Sequence, residues 1–214
     1  MNEFLNKSVQ ASMEPGRVRM GYVHRYERDS FAPLNRVGLE AIPLSARKHI
    51  RSGQTPKLRT SVDTRAPKGS PQAVLGRIVK VRLDDLDIHC PKMDFDCRIS
   101  VNVEVDLNNR PDIDPLLIVE PADPGDAETS NERMKDRMSY QHLAYSIDLT
   151  QVTGVGGKKS HELEVEVDTA KLREEAMRLS RGQDSAYEAI VEGLLANVFT
   201  LMKAQKDVRE VVHR

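Results

Sequence analysis

The run DFDCRISVNVEVDL, Asp94 to Leu107, constrains this chain most. Cys97, Ile99, Val101, Val103 and Val105 share one parity, and Arg98, Ser100, Asn102, Glu104 and Asp106 the other. Strict alternation places successive side chains on opposite faces, so this is a strand with one apolar and one charged face. The pattern recurs in PKLRTSVDTR (Pro56–Arg65), in GRIVKVRLDDLDIHC (Gly76–Cys90) and in HELEVEVD (His161–Asp168). Val18–Arg28 has the Tyr and Val content of a strand. Arg133–Thr150 reads as strand with a break near Leu143, and TGVGGKKS after it has turn composition.

Helical spacing is confined to the ends. Met1–Met13 carries Phe4, Leu5 and Val9 on one side. Asp168 or Thr169 can cap a helix through Leu179. A second C-terminal helix, from about Ser185 to Asp207, has a wide apolar stripe that includes Tyr187, Ile190, Leu194, Val198 and Met202. Phe31–Gly53 is broken by Pro33, Pro43 and Gly53, and residues 108–132 read as an acidic, proline-rich loop insertion. No βαβ rhythm exists. The expectation is one antiparallel α+β domain over residues 1–214.

Aromatics are only 4% of residues, Trp is absent and the net charge is −1. A global basic field and a set of base-stacking platforms are therefore both excluded. Cys90 and Cys97 fit no zinc spacing, and the six histidines sit at no ligand spacing. GVGGKKS lacks the spacing of a phosphate loop. No stretch is long and apolar enough for a helical membrane span, so no membrane partner is expected.

The polar faces are unusual because their charges are sorted by strand. Lys57 and Arg59 share a face, as do Lys80 and Arg82. Arg133, Lys135 and Arg137 form a basic run, and Glu162, Glu164 and Glu166 an acidic one. Same-face neighbours lie about 6.6 Å apart. At that distance like charges repel by about 0.6 kcal/mol in water and about 2.5 kcal/mol at an effective dielectric of 20. Alone, the acidic triplet reads as a solvated face. Together the rows suit a closed antiparallel barrel with helices outside and charges inside. Its lumen would hold a polyphosphate with a divalent cation, since carboxylates are hard ligands for Mg²⁺ or Mn²⁺ and basic groups neutralise phosphate oxygens.

An ordered series of segments carries a resemblance. It comprises YERDSF (Tyr26–Phe31), KLRTSVD (Lys57–Asp63), MDFDCRISVNVE (Met93–Glu104), ERMKDRMSY (Glu132–Tyr140), SIDLTQV (Ser146–Val152) and HELEVEVD. The chain resembles the fungal mRNA-capping enzyme beta subunit, a metal-dependent RNA 5′-triphosphatase of the triphosphate tunnel metalloenzymes.

The resemblance implies an eight-stranded antiparallel triphosphate-tunnel β-barrel. It implies hydrolysis of the γ-phosphate of 5′-triphosphate RNA to a 5′-diphosphate end, the first step of mRNA 5′ capping, with Mg²⁺ or Mn²⁺. Glu162, Glu164 and Glu166 are the implied metal carboxylates. Arg59, Lys80, Arg133, Lys135 and Arg137 are implied tunnel contacts to phosphate or acidic groups, Glu104 orients the attacking water, and Asp29, Asp148 and Thr150 support the tunnel. Ser146 stands where the family has an arginine, with Arg98 the candidate to replace that contact. In the family a strand with two further glutamates precedes a helix resembling MNEFLNKSV, where this chain starts. A truncated domain missing its first strand is therefore expected.

The resemblance further implies a nuclear location and an mRNA guanylyltransferase (capping enzyme alpha subunit) as partner, and homodimer contacts vary in the family. Two other readings remain open: a non-catalytic polyphosphate-binding scaffold, and a tunnel triphosphatase acting on nucleotides or tripolyphosphate.

Overall fold

The computed structural model describes residues 1–51, 53–65, 72–93, 95–110, 112–117 and 132–212. Most of the acidic loop, residues 118–131, lies outside the described residues. Helix α1 (Asn2–Ala11) leads into strand β1 (Gly21–Pro33). Two short helices follow, α2 (Arg36–Glu40) and α3 (Leu44–Arg47). Then come β2 (Lys57–Asp63), β3 (Val74–Ile88), β4 (Cys97–Asp106), β5 (Glu132–His142), β6 (Tyr145–Thr153) and β7 (Lys159–Val167). Helices α4 (Thr169–Ser180) and α5 (Tyr187–Val212) end the described chain.

The seven strands form one antiparallel sheet in the order β4-β3-β2-β1-β5-β6-β7. The α+β expectation holds, with one strand fewer among the described residues than a complete eight-stranded barrel. Bulges between Ser61 and Val62 and between Arg82 and Asp84 bend the wall. The sheet curls into a half-barrel with β4 and β7 as its edges.

The apolar faces turn outward and are covered in two places. Leu58, Val79 and Val81 pack with Leu34, Ile42, Ala46 and Leu116 under α2 and α3. Tyr140 and Ile147 pack with Leu5 of α1 and Leu201 of α5. Burying each of these larger side chains contributes about 1.5–3 kcal/mol relative to exposure. The sequence stripes overstate the contact. Phe4 of α1 remains 36% exposed and Phe199 of α5 50%, because each helix lays only one edge on the curved sheet.

Strand β1 runs further than its Tyr and Val content suggests. Phe31 and Ala32 pair with Arg59 and Leu58, so cross-strand pairing extends it to Pro33. Asn35 then caps α2 by accepting from Gly38 N at 2.9 Å, and its amide donates to Pro115 O and Leu117 O. A Cβ on Gly38 would collide with Leu116 O, so this close approach needs glycine. The expected break near Leu143 is the β5–β6 hairpin turn, where Leu143 takes φ 55°. Asp168, rather than Thr169, caps α4 by accepting from Ala170 N and Lys171 N.

Candidate functional site

The pairing register gathers the sorted charges on the concave face. Directly paired residues share a face, so Glu162, Thr150, Arg137 and Arg25 form one row across β7, β6, β5 and β1. Lys135 pairs with Glu27, and Arg133 with Asp29, which in turn pairs with Ser61 of β2. Glu164 faces Asp148, and Glu166 faces Ser146. On the other limb, Lys80 faces Glu104.

Asp29 anchors the middle of this face and is fully buried. Lys135 Nζ lies 2.6 Å from its Oδ2, Ser61 Oγ donates to its Oδ1 at 2.6 Å, and Arg133 Nη2 approaches to 3.6 Å. Burial opposes the Asp29 charge, but Lys135, Ser61 and Arg59 outweigh it and hold the carboxyl below its usual range. Arg133 is also stacked over Phe31, 4.7 Å from the ring centre.

Arg137 bridges two elements. Its Nη1 donates to Asp148 Oδ2 at 3.1 Å, and its Nε lies 3.8 Å from Glu27 Oε2. Burial works against its charge, but Glu27, Asp148, Glu164 and Asp29 together raise its basicity. Four polar atoms on this face lie buried without a hydrogen-bond partner: Asp29 Oδ2, which has its ion pairs, and the donors Arg133 Nε, Arg137 Nε and Thr150 Oγ1. The three donors suit a ligand rich in acceptor oxygens.

The acidic limb is under strain of charge. Burial pushes the Glu166 carboxyl up, and the charges of Glu164, Asp148 and Glu104 add to this, with Lys80 opposing. Glu104 and Lys80 come from the opposite limb of the sheet. Their influence on Glu166 reflects the curl, which brings β3 and β4 round to face β7.

Among the described residues, no three His, Cys, Asp or Glu side chains converge enough to hold a metal ion by themselves. The spacing explains this. Glutamates two apart on a strand are about 6.6 Å apart, whereas oxygens around one Mg²⁺ sit roughly 3 Å from each other. The triplet can supply only part of a coordination shell.

All twelve sequence-predicted site residues therefore lie on one curved face, although not all touch. Arg59 reaches Asp29 through its charge, and Lys80 lies 3.6 Å from Glu104. The replacement of the Ser146 contact by Arg98 is not found. Arg98 is held by Asp87 through bonds of 2.6 and 3.2 Å, an exposed pair across β3 and β4. Glu27, buried between Lys135 and Arg137, was not among the residues singled out from sequence. Its signal was the two-residue spacing from Asp29, which puts both on the same strand face.

The sheet is thus a half-barrel with helices outside and a charged inner face. Residues 1–207 match the family model described as mRNA capping enzyme, beta chain. The mRNA-capping enzyme subunit beta of Schizosaccharomyces pombe is 29% identical over 95% of this chain and 57% of its own length. That of Cryptococcus neoformans is 30% identical over 95% of this chain and 43% of its own length. The S. pombe Pct1 RNA triphosphatase in complex with the Spt5 CTD superposes with a TM-score of 0.66 at 30% identity. That alignment covers 94% of this chain and 65% of the solved one. The chain belongs to the mRNA capping enzyme beta-chain family, and it spans about half the length of the curated relatives it matches.

Proposed function

We propose that this chain, as one tunnel domain, acts in the first step of mRNA 5′ capping by hydrolysing the γ-phosphate of 5′-triphosphate RNA. The observation that carries this reading is the set of buried donors without partners, Arg133 Nε, Arg137 Nε and Thr150 Oγ1, on a face that acidic partners already hold rigid. Arg59, Lys80, Arg133, Lys135 and Arg137 neutralise phosphate oxygens and the charge that develops as the terminal bond breaks. Asp29 and Asp148 hold Arg133, Lys135 and Arg137 in place, and Thr150 supports the same face with its hydroxyl turned to the ligand. Glu104, opposite Lys80, orients the attacking water.

Mg²⁺ or Mn²⁺ is the cofactor the family reading implies, and when bound it would neutralise phosphate charge. Glu162 and Glu164, with Glu166 from the same triplet, would give part of its shell, the remainder coming from phosphate oxygens and water. The solved Pct1 relative was determined with the Spt5 CTD. By the same reading this protein works in the nucleus beside an mRNA guanylyltransferase. No described helix is long and apolar enough to cross a membrane.

The test is release of inorganic phosphate from 5′-triphosphate RNA with Mg²⁺ or Mn²⁺, lost in Glu162→Ala and in Glu164→Ala. No release from a chain extended upstream to include a strand with paired glutamates would sink the catalytic reading. The lack of three converging carboxylates favours one second reading, a polyphosphate-binding domain without turnover. Calorimetry with tripolyphosphate separates the two: binding that ignores Mg²⁺, with no phosphate release, supports the second.

A further inference from the structure

Beside the concave face, the segment after α3 folds against β3. Strand β2 begins only at Lys57, and Leu58 pairs with Val79, so β3 continues past the end of β2 beyond Lys80. The space left there is a cleft of about 330 Å³. His49, Arg51, Lys57, Lys80 and Arg82 line it, and among the described residues no acidic side chain does. Arg82 is committed to Asp85 at 2.9 Å and Lys80 is 3.6 Å from Glu104. Arg51 and Lys57 form no ion pair among the described residues, and both are exposed.

Cations such as Arg51 and Lys57, gathered in one cleft without an ion-pair partner among the described residues, attract an anion. Position decides which anion. By strand parity Lys57, Lys80 and Arg82 stand on the concave face, and Arg51 comes from the segment beside it, so the cleft is the rim where that face continues past the proposed triphosphate site. A free triphosphate has no charge left to place there once it lies at that site. A 5′-triphosphate RNA carries further phosphodiesters along its chain. Among the described residues the cleft has no Phe, Tyr or Trp on which a base could stack, so its grip rests on cations that hold backbone and ignore sequence.

We infer that the cleft of Arg51, Lys57 and Arg82 holds the phosphodiester backbone that follows the 5′ triphosphate, and so distinguishes an RNA end from a free nucleotide or tripolyphosphate. This rests on the triphosphatase reading above for the placement of the 5′ end. The grip is electrostatic and weakens with salt.

The experiment compares the full chain with Arg51→Gln/Lys57→Gln, using a short 5′-triphosphate oligoribonucleotide and tripolyphosphate as probes. Anisotropy should show about tenfold weaker RNA binding. The slope of log affinity against log salt should fall by about 1.4, at roughly 0.7 per single-strand phosphate contact. Tripolyphosphate affinity should stay within about twofold in Arg51→Gln, whose residue lies off the strand faces. Each single substitution should lose about threefold, and Arg51→Lys or Lys57→Arg should keep RNA affinity, which protects the result against a folding defect in the double variant. Equal losses for both probes would overturn the inference. So would unchanged RNA binding, or polyglutamate competing as well as RNA of equal charge. RNA binding that depends on Arg51 and Lys57 in a chain that ignores tripolyphosphate would uphold the cleft and overturn the triphosphate site instead.

Discussion

Lys135 Nζ and Asp29 Oδ2 lie 2.6 Å apart at the centre of the curved sheet, with side chains 5% and 0% exposed. Strands β5 and β1 carry them, and the pair ties the basic row to the wall behind it. A buried pair is costly to break because the survivor keeps its charge without a partner. Lys135→Met should destabilise the fold by about 3–5 kcal/mol in urea titration. Adding Asp29→Asn should recover much of that loss. No recovery would mean that the pair is not what stabilises this region.

The same carboxyl sets an acid limit. The folded fold holds Asp29 below its ordinary value of 3.8 because Lys135, Ser61 and Arg59 outweigh the effect of burial. A lowered carboxylate contributes stability above its unfolded pKa and loses it as pH falls through the folded value. The contribution should therefore be complete at neutral pH and drain away below about pH 3.8. Asp29→Asn should be less stable at neutral pH and should show a shallower fall across that acid window. Parallel acid curves for the two proteins would contradict this.

Thr150 offers a separation of binding from stability. Its hydroxyl is buried and lacks a hydrogen-bond partner, a situation that costs about 1–3 kcal/mol. Thr150→Val keeps the shape and removes the unmet group, so it should leave the melting temperature unchanged or raise it. Affinity for tripolyphosphate should fall by about tenfold, the value of one hydrogen bond to a charged acceptor at about 1.5 kcal/mol. A variant that loses stability and keeps its affinity would show that the hydroxyl is not a ligand contact.

Arg137 is predicted to resist conservative replacement. It donates to Asp148 at 3.1 Å while its Nε faces Glu27 at 3.8 Å, so one planar group spans two carboxylates. A lysine presents a point charge and cannot reach both. Arg137→Lys should lower phosphate release from triphosphate RNA nearly as far as Arg137→Ala. Near wild-type turnover in the lysine variant would reduce Arg137 to a simple counter-charge.

Away from the site, Gly38 tests the packing of α2. A Cβ there meets the Leu116 carbonyl, which is backbone and cannot swing aside. Gly38→Ala should cost about 1–3 kcal/mol by overpacking, read as a lowered urea midpoint with an unchanged slope.

Much of this protein is determined by its sequence alone. Two-residue alternation decides which side chains share a face, whatever the strand later pairs with. For that reason the rows Arg133-Lys135-Arg137 and Glu162-Glu164-Glu166 and the apolar backs of the strands were legible, whereas the α4 cap was narrowed only to Asp168 or Thr169. The family resemblance was legible because those rows occur in a fixed order. Tertiary structure decided what alternation cannot express. Register sets Lys135 against Glu27 and Arg133 against Asp29, and so made a partner of a glutamate that looked solitary. Arg98 went to Asp87 rather than to the place beside Ser146, because the bulge in β3 shifts its pairing. The curl brings Glu104 and Lys80 to bear on Glu166 across residues far apart in the chain. Charge acts through distance in space, and a sequence records only distance along the chain.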